Sequence, residues 1–551
     1  MRRRGGGTRS KLTRREFLSR LGAGVAVASA DPLVVRPTAA STASTPSPVV
    51  VIGRPSGASA TSGAVDAGAA ASGVLDAGRS ADPVPVLALD EIQGNILGGL
   101  GTARQAAIGL RFAGRNSGRA WVGELASLVT SIRDRADADP ADQARVWVNV
   151  AFTHAGLRAL GSSGLRAFPE AFRSGMAARA SVLGDVGPSS PANWAPPFRR
   201  SAHALVIVAG GSAEAVAGAV AGQLERAGKR GFGVAFVQHG ADRDDEPGHE
   251  HFGFRDGISQ PAVHGFAPSS PGQSGGTVVG PDPVWPGEFV LGYPTQEARS
   301  SRAGPIAVGG PQWSANGSFL VFRRLRQDVA GFRAFIANVA KNQGITEDLA
   351  GAKIVGRYRS GAPLKRAGDQ AQDPGRNDPT VLAAERINDF GYADDPDGVV
   401  VPLASHLRKT FPRDEPTSVQ PPDDPQIHRM IRRGIPFGPS LPQGTPPDHP
   451  LALAGFPDDR GLLFLCYQSS IERQFEFVQK RWANDPDFPR AGAGEDLLVS
   501  QTDGPKRLRL ARPGGRVDHI ALMQRFVVTT GGDYFFQPSI SALRLLGRSA
   551  V

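Results

Sequence analysis

The sequence predicts an α+β protein built on antiparallel sheets, and the order of its periodic segments carries that prediction. Runs rich in Val, Ile, Ala and Phe at 106–112 and 146–152 flank a helical pattern at 120–133, and similar runs at 203–208 and 233–238 flank another at 213–227. Strand–helix–strand taken twice is the ferredoxin-like arrangement, with a helical piece at 168–183 inserted between its halves. The second half repeats the theme with less regularity: strand 319–323, helix 330–341, strand 461–467, helix 471–482 and a last strand at 525–530. Two ferredoxin-like domains with peripheral helices follow, 86–267 and 287–551, joined by a linker at 268–286.

The chain ahead of residue 86 has a different character. Residues 1–30 combine a basic start, Arg14-Arg15-Glu16-Phe17-Leu18, with a short Gly/Ala segment and an Ala28-Ser29-Ala30 cleavage site, the layout of an export signal. The twin arginines followed by Phe-Leu resemble the motif of the Tat pathway, which implies the Tat translocon as a partner during export and an extracellular or periplasmic destination. Residues 31–85 are Ala, Ser, Thr, Pro and Gly with few large apolar side chains, so they cannot bury a core and read as a disordered spacer. No other stretch approaches 18 apolar residues, and no membrane span is expected after cleavage.

Of the 551 residues 40% are hydrophobic and 21% charged, the balance of a globular protein. The net charge of +10 is concentrated in the leader and otherwise interspersed with acids rather than forming a stripe, which argues against nucleic acid as a partner. Cys466 is the one cysteine, so disulfides and thiolate clusters are excluded. Phosphate loops, nucleophile elbows and strand-linked Gly-x-Gly-x-x-Gly motifs are missing, and nucleotide-dependent and serine-hydrolase chemistry lacks support.

Three stretches carry the chemistry. The first, His251-Phe-Gly-Phe-Arg-Asp256-Gly-Ile-Ser-Gln-Pro261, brackets an acidic residue with glycines between apolar runs. The second is Ser405-His406-Leu407-Arg408. The third is Ile431-Arg432-Arg433-Gly434-Ile435-Pro436-Phe437-Gly438. Together, and with Asp90-Glu91-Ile92-Gln93-Gly94-Asn95 opening the first domain, they resemble the dye-decolourising peroxidases over residue 87 to the C-terminus.

That resemblance implies one haem b per chain, held in the second domain, with hydrogen peroxide and small aromatic reductants such as dyes and phenols as substrates. It assigns His406 as proximal iron ligand, Asp256 as proton shuttle, Arg432 as the cation beside the peroxide, and Leu462 and Phe464 as apolar walls. Arg408, two residues past the ligand, is expected to pair with a haem propionate. The proximal imidazole needs an acidic partner, for which Glu472 and Asp496 both stand open. Arg433 competes with Arg432 for the distal place. Phe437 stands where some family members carry tyrosine, so a radical route there is not expected; Tyr467, Tyr534 and the tryptophans remain as relays. Two rivals stay in play: a non-haem metal site on His249 and His251, spaced to share one face of a strand, and a haem-binding or haem-iron-releasing protein with little turnover.

Overall fold

The computed structural model describes residues 82–548 apart from 100, 140–141, 143, 267–277, 416–423, 512–515 and 523. The leader expected over 1–30 lies outside these residues, as does the spacer up to residue 81. Among the described residues no helix is long and apolar enough to cross a membrane.

The first half runs β1 (Arg104–Arg111), α1 (Arg115–Leu125), β2 (Val146–Phe152), β3 (Ala204–Gly210), α2 (Ala213–Lys229) and β4 (Gly233–Ala241). Its strands lie in the order β4-β1-β3-β2, all antiparallel. After β5 (Ser259–Val263) and β6 (Val278–Val284), the second half runs β7 (Ser318–Gln327), α3 (Val329–Gln343), α4 (Glu347–Val355), α5 (His406–Thr410), β8 (Ile431–Arg432), β9 (Ile435–Phe437) and β10 (Gly461–Gln468). The hairpin β11 (Lys506–Ala511) and β12 (Val517–Leu522) precedes β13 (Val527–Gln537) and α6 (Ile540–Gly547). Here too the order is fourth-first-third-second: β13-β7-β10, with β8 and β9 both on the outer edge of β10. Each half is therefore a ferredoxin-like unit, and β13 joins β2 at Phe536 and Phe152 to make one continuous sheet.

Both faces of that sheet are covered, which is why its strands read as continuous apolar runs. Ala106, Ile108, Val206 and Val208 pack on one face, while Ala107, Leu205 and Ile207 pack on the other. The helical piece foreseen at 168–183 breaks into Glu170–Ser174 and Ala180–Leu183, because Gly175 takes φ 78 and ends the first. The last strand continues to Gln537 instead of stopping at Thr530. The pairing with β7 skips Thr530, a bulge in β13, and a Cβ on the next residue, Gly531, would lie 2.5 Å from Phe198.

The linker expected over 268–286 needs correction. Residues 278–284 form β6, parallel to β5, and Trp285 beyond it is 3% exposed, so this segment is built into the fold. Glu288 follows, fully buried, with Oε2 2.6 Å from Arg473 Nη2 and Oε1 accepting the Gln296 N–H. Burial outweighs these partners and pushes its carboxyl up to about 7. A folded value above the unfolded one means the native state holds the proton longer, so this residue's contribution to stability falls as pH rises from about 4.5 to about 7. Glu288→Gln is expected to flatten that slope in thermal melts; an unchanged slope assigns it elsewhere.

Candidate active site

The stretch around Asp256 is a compact turn rather than a strand. The Glu250 carboxylate accepts the N–H groups of Phe252 and Phe254, each over 2.9 Å, and Asp256 N donates to Gly248 O. Gly253 and Gly257 take φ 89 and 73, conformations that favour glycine. Asp256 Oδ1 accepts both its neighbour's N–H from Gly257, at 2.6 Å, and Arg432 Nη1, at 3.1 Å. Oδ2 has no hydrogen-bond partner among the described residues. Arg432 arrives on β8, paired with Cys466 of β10, and Gln260 clamps its backbone through both amide groups. Its second nitrogen, Nη2, donates to Ser259 O at 3.1 Å.

His406 opens α5, the short helix that the long Pro- and Asp-rich segment forms at this point. Its Nδ1 donates to Asp496 Oδ2 over 2.7 Å, and Asp496, itself fully buried, also accepts from Leu498 N and Val499 N. Burial disfavours both charges, but the pairing outweighs it, holding the imidazole above and the carboxyl below their ordinary values. The other ring nitrogen, Nε2, has no partner among the described residues. Glu472, the alternative acid, accepts from Ala171 N.

One cavity of about 280 Å³ collects these groups: His406, Asp256 and Arg432 line it together with Leu462, Phe464 and Phe475. Five of the six residues picked from sequence are thus brought together, and Arg408 is the exception. It is fully buried, with Nη2 2.6 Å from Glu415 Oε1 and Nη1 donating to Val401 O, and it is not among the lining residues. A guanidinium taken out of water needs a carboxylate, and its own fold supplies one in bidentate geometry. Arg433 turns to Asn95 O and Leu97 O, away from Asp256.

The His249 and His251 pair does not share a strand face. His249 Nδ1 donates to Pro247 O, while His251, 1% exposed and pushed down to about 4 by burial, bonds Phe437 O. Phe437 is buried under the Arg324 guanidinium, and Tyr467 and Tyr534 are fully buried. Sequence reasoning missed Glu250, Arg255, Gln327 and Arg357 in the cavity wall. Arg255 sits inside the recognised motif and Glu250 immediately before it, so proximity to Asp256 was a usable signal; Gln327 and Arg357 are brought in by tertiary packing alone.

The donor set fits a haem. An imidazole whose outward nitrogen is tied to a carboxylate and whose other nitrogen is unpartnered is the usual state of a metal-ligating histidine, and the surrounding walls are apolar. Family models for the DyP dimeric alpha+beta barrel domain and for the C-terminal region of Dyp-type peroxidases match residues 91–232 and 293–490. The dye-decolorizing peroxidase msp1 of Mycetinis scorodonius is 33% identical, the match covering 84% of this chain and 88% of that protein. A solved dye-decolorizing peroxidase in complex with 2,6-dimethoxyphenol superposes with a TM-score of 0.68 at 29% identity, covering 84% of this chain and all of that one. A deferrochelatase of Yersinia pestis is 31% identical over 32% of this chain and 30% of its own length. With a family model matched in each half and a relative 33% identical over 84% of the chain, the chain belongs to the dye-decolourising peroxidase family and is a haem-dependent peroxidase.

Proposed function

We propose that this peroxidase reduces hydrogen peroxide and oxidises small aromatic reductants, dyes and phenols among them, with His406 holding the haem iron and Asp256 and Arg432 acting on the peroxide. One observation carries the assignment: an imidazole with an unpartnered Nε2 shares a cavity with a carboxylate–guanidinium pair that has a free oxygen, Asp256 Oδ2. The haem, when bound, supplies an iron centre that takes up oxidising equivalents from peroxide and passes them on one electron at a time. Asp256 would accept at Oδ2 a proton from one oxygen of hydrogen peroxide and return it to the other, so that this second oxygen leaves as water when the O–O bond breaks, the first oxygen and the two oxidising equivalents being left to the haem the site would hold. Arg432, fixed by Asp256 and Ser259 O, would meet the negative charge that develops on the departing oxygen without having to reorganise. Asp496 holds the His406 ring in the tautomer that leaves Nε2 as a donor of electrons.

An absorption spectrum of the purified chain tests the cofactor, with a Soret band and one iron per chain expected. Turnover of a dye with peroxide separates this reading from haem storage or iron release, which yields free porphyrin instead. Carboxylates ordinarily ionise near pH ~4 and imidazoles near ~6.5, so a carboxylate base stays competent in acid, and dye oxidation is expected to be best at roughly pH 3–5. Asp256→Asn keeps the shape and removes the base. If its reaction with peroxide matched wild type across that range, the proton role would belong elsewhere. Export through the Tat translocon to the outside of the cell or the periplasm rests on the Arg14-Arg15 leader, and mutation of both arginines to lysine is expected to retain the protein inside.

A further inference from the structure

Excluding Arg408 from the cavity leaves open which cations receive the acidic side chains of the haem; of the arginines in the cavity wall, Arg323 is paired with Asp185 and Arg432 with Asp256, while Arg255 and Arg357 have no carboxylate partner among the described residues. They meet at Gly361: Arg357 Nη1 donates to Gly361 O over 3.0 Å, and a Cβ on that glycine would lie 3.5 Å from Arg255 Cδ. The Arg255 backbone is pinned alongside, its N–H donating to Arg359 O. Yet the Arg255 guanidinium forms no hydrogen bond or ion pair with any described residue. Arg357, 5% exposed, bonds only neutral acceptors, Gly361 O, Ile387 O and Asn388 Oδ1.

The wall's carboxylates are not bonded to these two. Asp256 is engaged by Arg432, and Glu250 by the N–H groups of Phe252 and Phe254 and by Gln327 Nε2. Burial, and after it the cations Arg413 and Arg432, holds Arg357 down at about 9. Buried cations without a counter-charge are costly, which makes this wall a receptor for an anion, and planar guanidinium groups suit a carboxylate.

We propose that Arg255, backed by Arg357, is the seat for a haem propionate carboxylate. The proposal rests on the haem reading above. Full-length enzyme loaded with haem, or with haem dimethyl ester, whose carboxylates are capped, is mixed with excess apomyoglobin and the release rate followed. Losing a charge-assisted hydrogen bond is expected to speed haem release on the order of 10- to 100-fold in Arg255→Gln, with diester release little changed. Arg255→Lys should recover part of the difference, and Arg357→Gln should shift the haem-to-diester ratio the same way. Equal acceleration of both porphyrins, or of neither, overturns the seat while leaving the haem reading intact. So does an unchanged haem release accompanied by a raised KM for a sulfonated dye, which gives the site to the substrate's anion. A wild-type chain that takes up neither porphyrin overturns both.

Discussion

His406→Ala is expected to purify with little or no haem. Among the residues lining the cavity, His406 is the imidazole whose Nδ1 is tied to a buried carboxylate and whose Nε2 has no partner among the described residues; without it, burial against the chiefly apolar walls and the propionate seat proposed above would be left to hold the porphyrin. Loss of a partner that merely orients a metal ligand costs about 10- to 100-fold in affinity, so loss of the ligand itself should reduce the haem-to-protein ratio by more than about 10-fold. A second effect accompanies it. Asp496, fully buried, keeps its bonds from Leu498 N and Val499 N but loses the imidazole, and a buried charge left without its partner destabilises the fold. Added imidazole should restore the Soret band, because it refills both roles at once. A variant that retained wild-type haem content and a histidine-ligated spectrum would remove His406 from the site.

The strands were legible because their chemistry is local. β2 and β3 are short apolar runs bounded by turn residues, and α2 follows a period near 3.6, whereas the helix expected over 120–133 runs Arg115–Leu125 and is followed by a separate turn of helix at Ile132–Ala136. What escaped was set by partners distant in sequence. β8 and β9 are two and three residues long, too short for any alternation, and exist because β10 offers them an edge. Glycine stands at 531, beside the bulge at Thr530, where Phe198 fills the space a side chain would need.

The site divides the same way. Asp256, Arg432 and His406 sit in motifs whose neighbours constrain them, and the structure gathers all three. The choice of Asp496 over Glu472 could not be read from the chain, since both acids lie far from His406 in sequence and packing alone decides between them. Arg408 shows the converse. Its spacing from His406 invited a role beside the haem, yet α5 turns it into the protein, where Glu415 lies seven residues on in the same segment. A charged residue near a ligand in sequence goes to whichever carboxylate the fold buries with it.

Arg432→Leu is expected to keep its haem but to react with peroxide on the order of 10²- to 10³-fold more slowly, the usual cost of losing one group that stabilises developing charge. Leucine fills much of the volume and leaves His406 untouched, so haem content and Soret position should change little. On the role proposed above, two things are lost with the guanidinium: the cation for the charge developing on peroxide, and the 3.1 Å bond that fixes Asp256 Oδ1. Arg432→Lys separates them, since a lysine keeps the charge but cannot hold Asp256 and Ser259 O in one planar fork, and it should fall between wild type and leucine. Stopped-flow measurement of the absorbance change on mixing with peroxide reads the step directly, whereas steady-state dye oxidation also includes reductant binding. Arg433→Leu serves as the comparison: that side chain is committed to Asn95 O and Leu97 O, so its loss should lower stability rather than the rate with peroxide. Should the leucine variant at 432 react as fast as wild type, charge stabilisation by this arginine is not part of the mechanism and the carboxylate must act without it.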